Sequence, residues 1–354
     1  MEPAAALQKL AKARPPLWKW QGGECIQSLA WAPHGHTLAA ATLGGELVVL
    51  DGATGKPRWH RANAHGDSIL WLAWHPTEAL LATGGQDGFV RLWEATKGTP
   101  LDEWTPDPKK KWVEHGAWSF DGALLAVAAG KRVTFWNAKG EARGQTGESR
   151  ATVAAIAWEP TPETHRLLVG GYGGVQLWDA DLPEVEMAPV TGAEWPTAVL
   201  AVAWDTRAEW VAAGTGDGAM QVWRVGTEHT LRMGGYPGKV RELAWHVDGR
   251  HLSTGGGPNV VCWSFEGEGP EGSAPVEWMG HSEAVTALAA HPTDPQRVAS
   301  AGKERLLFIW KIGDENPVGI RALPESPATT LAWKPDGALL VAGCEDGGVA
   351  GFKI

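Results

Sequence analysis

Among 354 residues, the 22 tryptophans and 12 histidines are the side chains whose number and placement could do chemistry. His75, His246 and His291 each stand directly after an apolar run that ends in Ala-Trp or Ala-Ala. Imidazoles repeated in this way could converge as zinc ligands, but Zn–N bonds of about 2.0–2.1 Å tolerate little spread. The three belong to segments that are not all neighbours in sequence, so the reading is a turn hydrogen-bond partner for each, and no metal. Cys25, Cys262 and Cys344 are odd in number, far apart and without a CxxC pair. They read as free thiols in a reducing compartment, with neither a disulfide framework nor a zinc site. No nucleophile elbow, P-loop, HExxH helix or dinucleotide fingerprint occurs, which leaves no cofactor to expect and no enzyme, a hydrolase being the least favoured alternative.

These residues recur with a period. A first tryptophan column runs Trp31, Trp74, Trp118, Trp158, Trp204 and Trp245, has Ala290 in its seventh place, and ends at Trp333, with steps of 40 to 46 residues. The columns define units one to eight. An alanine precedes each position, from Ala30 to Ala332. Only a small side chain fits where innermost strands converge on an axis, and a larger one would overpack by about 1–3 kcal/mol. A second column, Trp93, Trp136, Trp178, Trp223, Trp263 and Trp310, is completed by Leu50 and Phe352 at its two ends. Asp121-Gly122, Asp248-Gly249 and Asp336-Gly337 mark tight hairpins that need positive φ between first and second strands. A repeat of roughly 40–45 residues made of strands is the signature of a β-propeller.

From about Leu17 to Ile354 the chain resembles the WD40-repeat family. Unit two carries the resemblance best, with Ala64-His65, Thr83, Asp87-Gly88 and Trp93-Glu94. The family implies a buried network joining His65, Asp87, Thr83 and Trp93, and in unit seven His281, Glu304, Ser300 and Trp310. Asp217 and Asp346 keep the turn acid, whereas most units lack the histidine. The fold expected is all-β: a propeller of eight four-stranded blades over residues 17–354, after an extension of residues 1–16 with a short helix. The last unit ends without an outer strand, and Leu17-Trp18-Lys19-Trp20 precedes the first unit as an outer strand without a blade. That strand is expected to complete the C-terminal blade and close the ring.

The two columns, the outer strands (Trp18, Trp20, Trp59, Trp104 and Trp278) and Trp210 in a second strand leave Trp71, Trp112 and Trp195 unassigned. By the family's geometry the loops leading into the innermost strands gather on one face around a central channel. Exposed aromatics there would anchor a partner. Lys109, Lys110, Lys111, Glu24, Asp67, Glu242 and Glu283 share that face, and the resemblance adds Tyr172 and Lys303. The expected partner site is thus Trp71, Trp112, Trp195, Lys111, Tyr172 and Lys303. The net charge of −10 speaks against a phosphate-binding surface, and no run reaches the ~18 apolar residues that would cross a bilayer. The function expected is a monomeric, cytoplasmic scaffold that binds a protein or peptide, with a small-ligand or metal-binding propeller as the alternative.

Overall fold

The second strands show why this sequence folds in layers. Thr37–Thr42, Leu80–Gly85 and Leu339–Cys344 are buried at every residue, as strands covered on both faces must be. The outer strand Pro100–Trp104 is exposed along nearly all its length, the usual condition of an edge facing water. The structure, a computed structural model, describes residues 14–182, 188–267, 269–323 and 325–354. The helix expected over residues 1–16 falls mostly outside them; residues 14–16 are not helical, and Arg14 makes a parallel bridge to Arg321. No helix among the described residues is long and apolar enough to cross a membrane.

Within a unit, antiparallel strands run outward from the innermost one. In unit two the order is Ile69–Trp74, Leu80–Gly85, Val90–Glu94, Pro100–Trp104. The innermost strands touch in sequence order, and Ala328–Trp333 returns to Ile26–Trp31, closing the ring. Gly122, Gly249 and Gly337 have φ of +80°, +63° and +73°, as their hairpins demand.

The sheets correct one expectation. Hydrogen bonding gives seven sheets among the described residues, six of four strands and one of six, instead of eight four-stranded ones. Units four and five share the six-stranded sheet because Arg166–Asp179 and Thr191–Trp204 are each continuous strands of 14 residues. The second of these passes from the outer position of one unit to the inner position of the next without a loop, pairing Tyr172 with Ala198.

The N-terminal strand closes the ring as the sequence suggests. Trp18–Gln21 pairs antiparallel with Gly348–Lys353, from Trp18 opposite Gly351 to Gln21 opposite Gly348. Apolar clusters fill the spaces between sheets; one joins Leu38, Val48 and Leu50 of unit one to Leu339, Val341 and Val349 of unit eight.

The alanine column has a second role. The indole N–H of Trp74 donates to the Ala30 carbonyl at 2.9 Å, Trp158 to Ala117 at 2.8 Å, and Trp204 to Ala157 at 3.1 Å. Trp245 reaches Ala203 at 3.3 Å, and Trp333 reaches Ala289 at 2.9 Å. Trp31 extends the pattern across the closure to Ala332 at 3.2 Å. Six of the eight units are thereby fastened to the one before at the innermost strand; unit seven has Ala290 in this column, and the buried Trp118 indole of unit three makes no such bond. At the rim a parallel set runs the other way, Trp18 to Gly52 at 3.2 Å, Trp59 to Ala95 at 2.8 Å and Trp278 to Asp314 at 2.9 Å.

Candidate partner-binding face

Six innermost strands among those described carry a register shift at the same step. Gln27, Leu70, Glu114, Leu200, Thr286 and Thr329 are the residues skipped by the ladder. A bulge of this kind re-aims a side chain out of the sheet, and here it does so repeatedly where the strands begin. Burial raises the carboxyl of Glu114 and pushes its neighbour His115 down to about 4, so the imidazole is neutral at pH 7. Glu242 of unit six, at the level of His115, is likewise raised by burial. Nothing in residue type announces the bulges, because a one-residue offset is set by the partner strand.

The expected anchors separate into two kinds. Trp112 and Tyr172 are 54% and 64% exposed, whereas Trp71 and Trp195 are each 6% exposed. The last two are corrected: they wedge between strands and offer no surface to a partner. The Trp71 indole donates to the Val113 carbonyl at 3.1 Å, and a Cβ on Gly84 or Gly116 would lie 2.4 or 2.3 Å from its ring. Trp195 joins a cluster with Leu168, Val175, Leu177 and Trp204. Glycines at matching levels of neighbouring strands were the sequence signal that a tryptophan would fill the seam.

Lys111 is exposed and pairs with Asp107 at 3.0 Å. Its stem covers Gly130 in the hairpin of unit three, within 2.8 Å of where a Cβ would stand. Residues 130 and 131 in turn receive the Val153 and Ser149 N–H groups at 2.8 and 2.9 Å. Arg150 approaches Gly173, beside Tyr172. Lys111, Trp112 and Tyr172 therefore share one stretch of surface across units three and four. Lys303 is exposed in unit seven, away from that chain of contacts.

Charge is segregated round the ring. At the closing seam the Cys25 thiol is raised by burial and by Glu345, Asp346 and Glu24 around it, whereas Lys109, Lys110, Lys111 and Lys131 all lie on unit three. Asp67 accepts from the Ser68 N–H at 2.8 Å, and Glu283 is exposed.

The two four-residue networks sit beneath this face. His65 bonds Asp87 at 3.0 Å and Thr83 at 2.8 Å, and the Trp93 indole donates to Thr83 at 2.9 Å. In unit seven His281 bonds Glu304, and Ser300 at 2.6 Å, and Trp310 donates to Ser300 at 2.7 Å. On the opposite face, His75 contacts the Gly122 carbonyl of the next unit at 3.0 Å, and His246 contacts the Pro295 carbonyl at 2.7 Å. His291 is bonded to the Gly337 backbone. These imidazoles join neighbouring units, and no group of three or more metal-binding side chains is assembled among the described residues.

The family description "WD domain, G-beta repeat" matches residues 58–94, 190–224, 274–311 and 320–350. The chain belongs to the WD40-repeat family. This WD40 chain is 23% identical to telomerase protein component 1 of Rattus norvegicus over 285 residues, which is 80% of the chain and 9% of the relative. It is 23% identical to echinoderm microtubule-associated protein-like 2 of the same species, covering 94% of the chain and 59% of the relative. The chain thus spans less than two thirds of these relatives' length. Among solved structures it superposes on Sqt1 of Saccharomyces cerevisiae with a TM-score of 0.81 at 10% identity, covering 97% of this chain and 99% of that one. That likeness is one of fold.

Proposed function

We propose that this WD40 ring is a non-catalytic scaffold that holds a protein or peptide partner on the face where the innermost strands begin. The observation that carries the reading is the exposure of Trp112, just before its strand, and of Tyr172, within Arg166–Asp179, 54% and 64%, on a frame whose other tryptophans are largely packed away. Large rigid aromatics left in water on a fixed support are the usual anchors of an interface. The family is generally one of scaffolds without catalysis, which supports the same reading. A monomeric ring in the cytoplasm is part of the proposal. Three free cysteines suit a reducing compartment, with burial pushing the thiols of Cys262 and Cys344 up to about 12.

The eight-blade reading is kept as a proposal about the six-stranded sheet. The Ala180 N–H donates to the His165 carbonyl at 2.9 Å, just as Ala95 donates to Ala79 at 2.9 Å in unit two. This supports a folded hairpin in unit four, and so two blades lying side by side.

The test is capture from native lysate on the immobilised chain and on a Trp112→Ala/Tyr172→Ala variant. A protein retained by the first and lost by the second, with melting temperature unchanged, is the expected result. Equal retention by both would move the working surface elsewhere.

A further inference from the structure

On the side where its innermost strand begins, unit three gathers Lys109, Lys110, Lys111, Lys131 and Arg132, with Arg150 beside them, and the first three are held in a shaped loop. The Lys109 N–H donates to the Asp107 carboxylate at 2.8 Å, and the Lys110 N–H donates to the Asp107 carbonyl at 2.8 Å. The Thr105 hydroxyl donates to that same carbonyl at 2.7 Å. Lys110 is forced to φ +50°, a left-handed conformation that disfavours a side chain and is retained where the surroundings fix it. Its ammonium lies 4.5 Å from the centroid of the Phe89 ring.

From this loop the cations continue without a break. Lys111 lies over Gly130, next to exposed Lys131 and Arg132. Lys131 Nζ donates to the Arg150 carbonyl at 3.2 Å, and the Arg150 side chain comes within 3.8 Å of where a Cβ on Gly173, beside Tyr172, would stand. Three acids are interleaved, and each is bound to one cation. Asp107 pairs with Lys111 at 3.0 Å, Glu148 with Arg132 at 3.5 Å, and Glu194 with Arg150 at 2.9 Å. Lys109, Lys110 and Lys131 stand in no ion pair among the described residues, a local positive surplus in a chain whose net charge is −10.

We propose that this surface docks an acidic peptide segment of a partner protein, with carboxylates on Lys109, Lys110 and Lys131 and apolar side chains on Trp112 and Tyr172. The proposal rests on the partner-binding reading above and narrows it to one chemistry and one sector of the ring. Charge complementarity selects the occupant, since unmatched lysines beside exposed rings suit alternating acidic and apolar side chains. The interleaved Asp107, Glu148 and Glu194 disfavour an evenly charged phosphate backbone, which gains from contiguous cations.

The experiment is fluorescence anisotropy on the full chain with a short labelled peptide of alternating Glu and Leu, beside its counterpart with Lys in place of Glu. The acidic peptide binds saturably and weakens as salt is raised. A Lys109→Glu/Lys110→Glu/Lys131→Glu variant loses at least about tenfold in affinity, as does Trp112→Ala/Tyr172→Ala. The control Lys56→Glu/Lys239→Glu, at exposed lysines of other units, binds as the wild type does, and all variants keep the wild-type melting temperature. No binding, equal binding of the basic peptide, or indifference to the triple reversal overturns the proposal. Displacement of the peptide by a tighter-binding oligothymidylate also overturns it, in favour of a nucleic-acid surface. A lysate partner kept by the triple reversal but lost by Trp112→Ala/Tyr172→Ala would preserve the scaffold reading and remove this one.

Discussion

Asp87 shows how much one residue of a turn can hold. Its carboxylate accepts from Gly66 N–H at 3.1 Å and Phe89 N–H at 3.2 Å, while bonding His65 at 3.0 Å and Arg91 at 2.7 Å. Burial works to raise its pKa, but the bonds to His65 and then Arg91 outweigh this and hold it well below the usual carboxylate range. His65 is lowered, chiefly by burial, with Asp87 opposing. Because the folded pKa of Asp87 is depressed, its contribution is present above the ordinary value near 3.8 and is lost as pH falls below that. Asp87→Ala should therefore cost about 1–3 kcal/mol at pH 7. The deficit relative to wild type should shrink as pH is lowered below about 4, read by urea unfolding across that range. This quartet was legible in the sequence because every partner lies within one unit at fixed spacing. The cross-unit histidine and indole bonds were not, since their acceptors are backbone carbonyls that no side-chain pattern reveals.

Elements decide which tryptophans face water. Trp71 and Trp112 looked equivalent as residues without a place in the repeat. Trp71 lies inside a strand whose neighbours offer Gly84 and Gly116, so its ring has a slot, whereas Trp112 precedes its strand and has none. The slot predicts a coupled pair. Gly116→Ala puts a Cβ 2.3 Å from the Trp71 ring and should destabilise by about 1–3 kcal/mol through overpacking. Trp71→Leu added to Gly116→Ala should cost less than the sum of the two single changes, because the smaller side chain relieves the clash. A double-mutant cycle by thermal unfolding reads this directly, and strict additivity would show that the seam yields elsewhere. The sequence reading failed at these positions because the glycines that matter are separated from Trp71 in the chain and meet it only after pairing.

At the scale of the whole ring, the period, the two tryptophan columns and the closing strand were readable in advance, while the sheet count was not. Eight repeats became seven hydrogen-bonded sheets because Thr191–Trp204 runs unbroken from one unit into the next, a continuity that residue types do not encode. Closure depends on Trp18 more than on any other side chain of the N-terminal strand. It is buried in the cluster between units one and eight, its indole donates to Gly52 at 3.2 Å, and its ring lies against Gly55 and Gly351. A Cβ at either glycine would come within 2.4 Å of that ring, and Gly55 also has φ +68°, so the tryptophan is seated between two positions that only glycine suits. Trp18→Ala should cost about 3–5 kcal/mol as a buried aromatic lost to a cavity. It should also loosen Trp18–Gln21 from Gly348–Lys353, leaving a strand edge open to pairing with another chain. Hydrogen exchange should then show lost protection at residues 348–353, and sedimentation should show concentration-dependent self-association. Protection equal to wild type at those amides would mean that the backbone ladder alone closes the ring and that Trp18 only fills space.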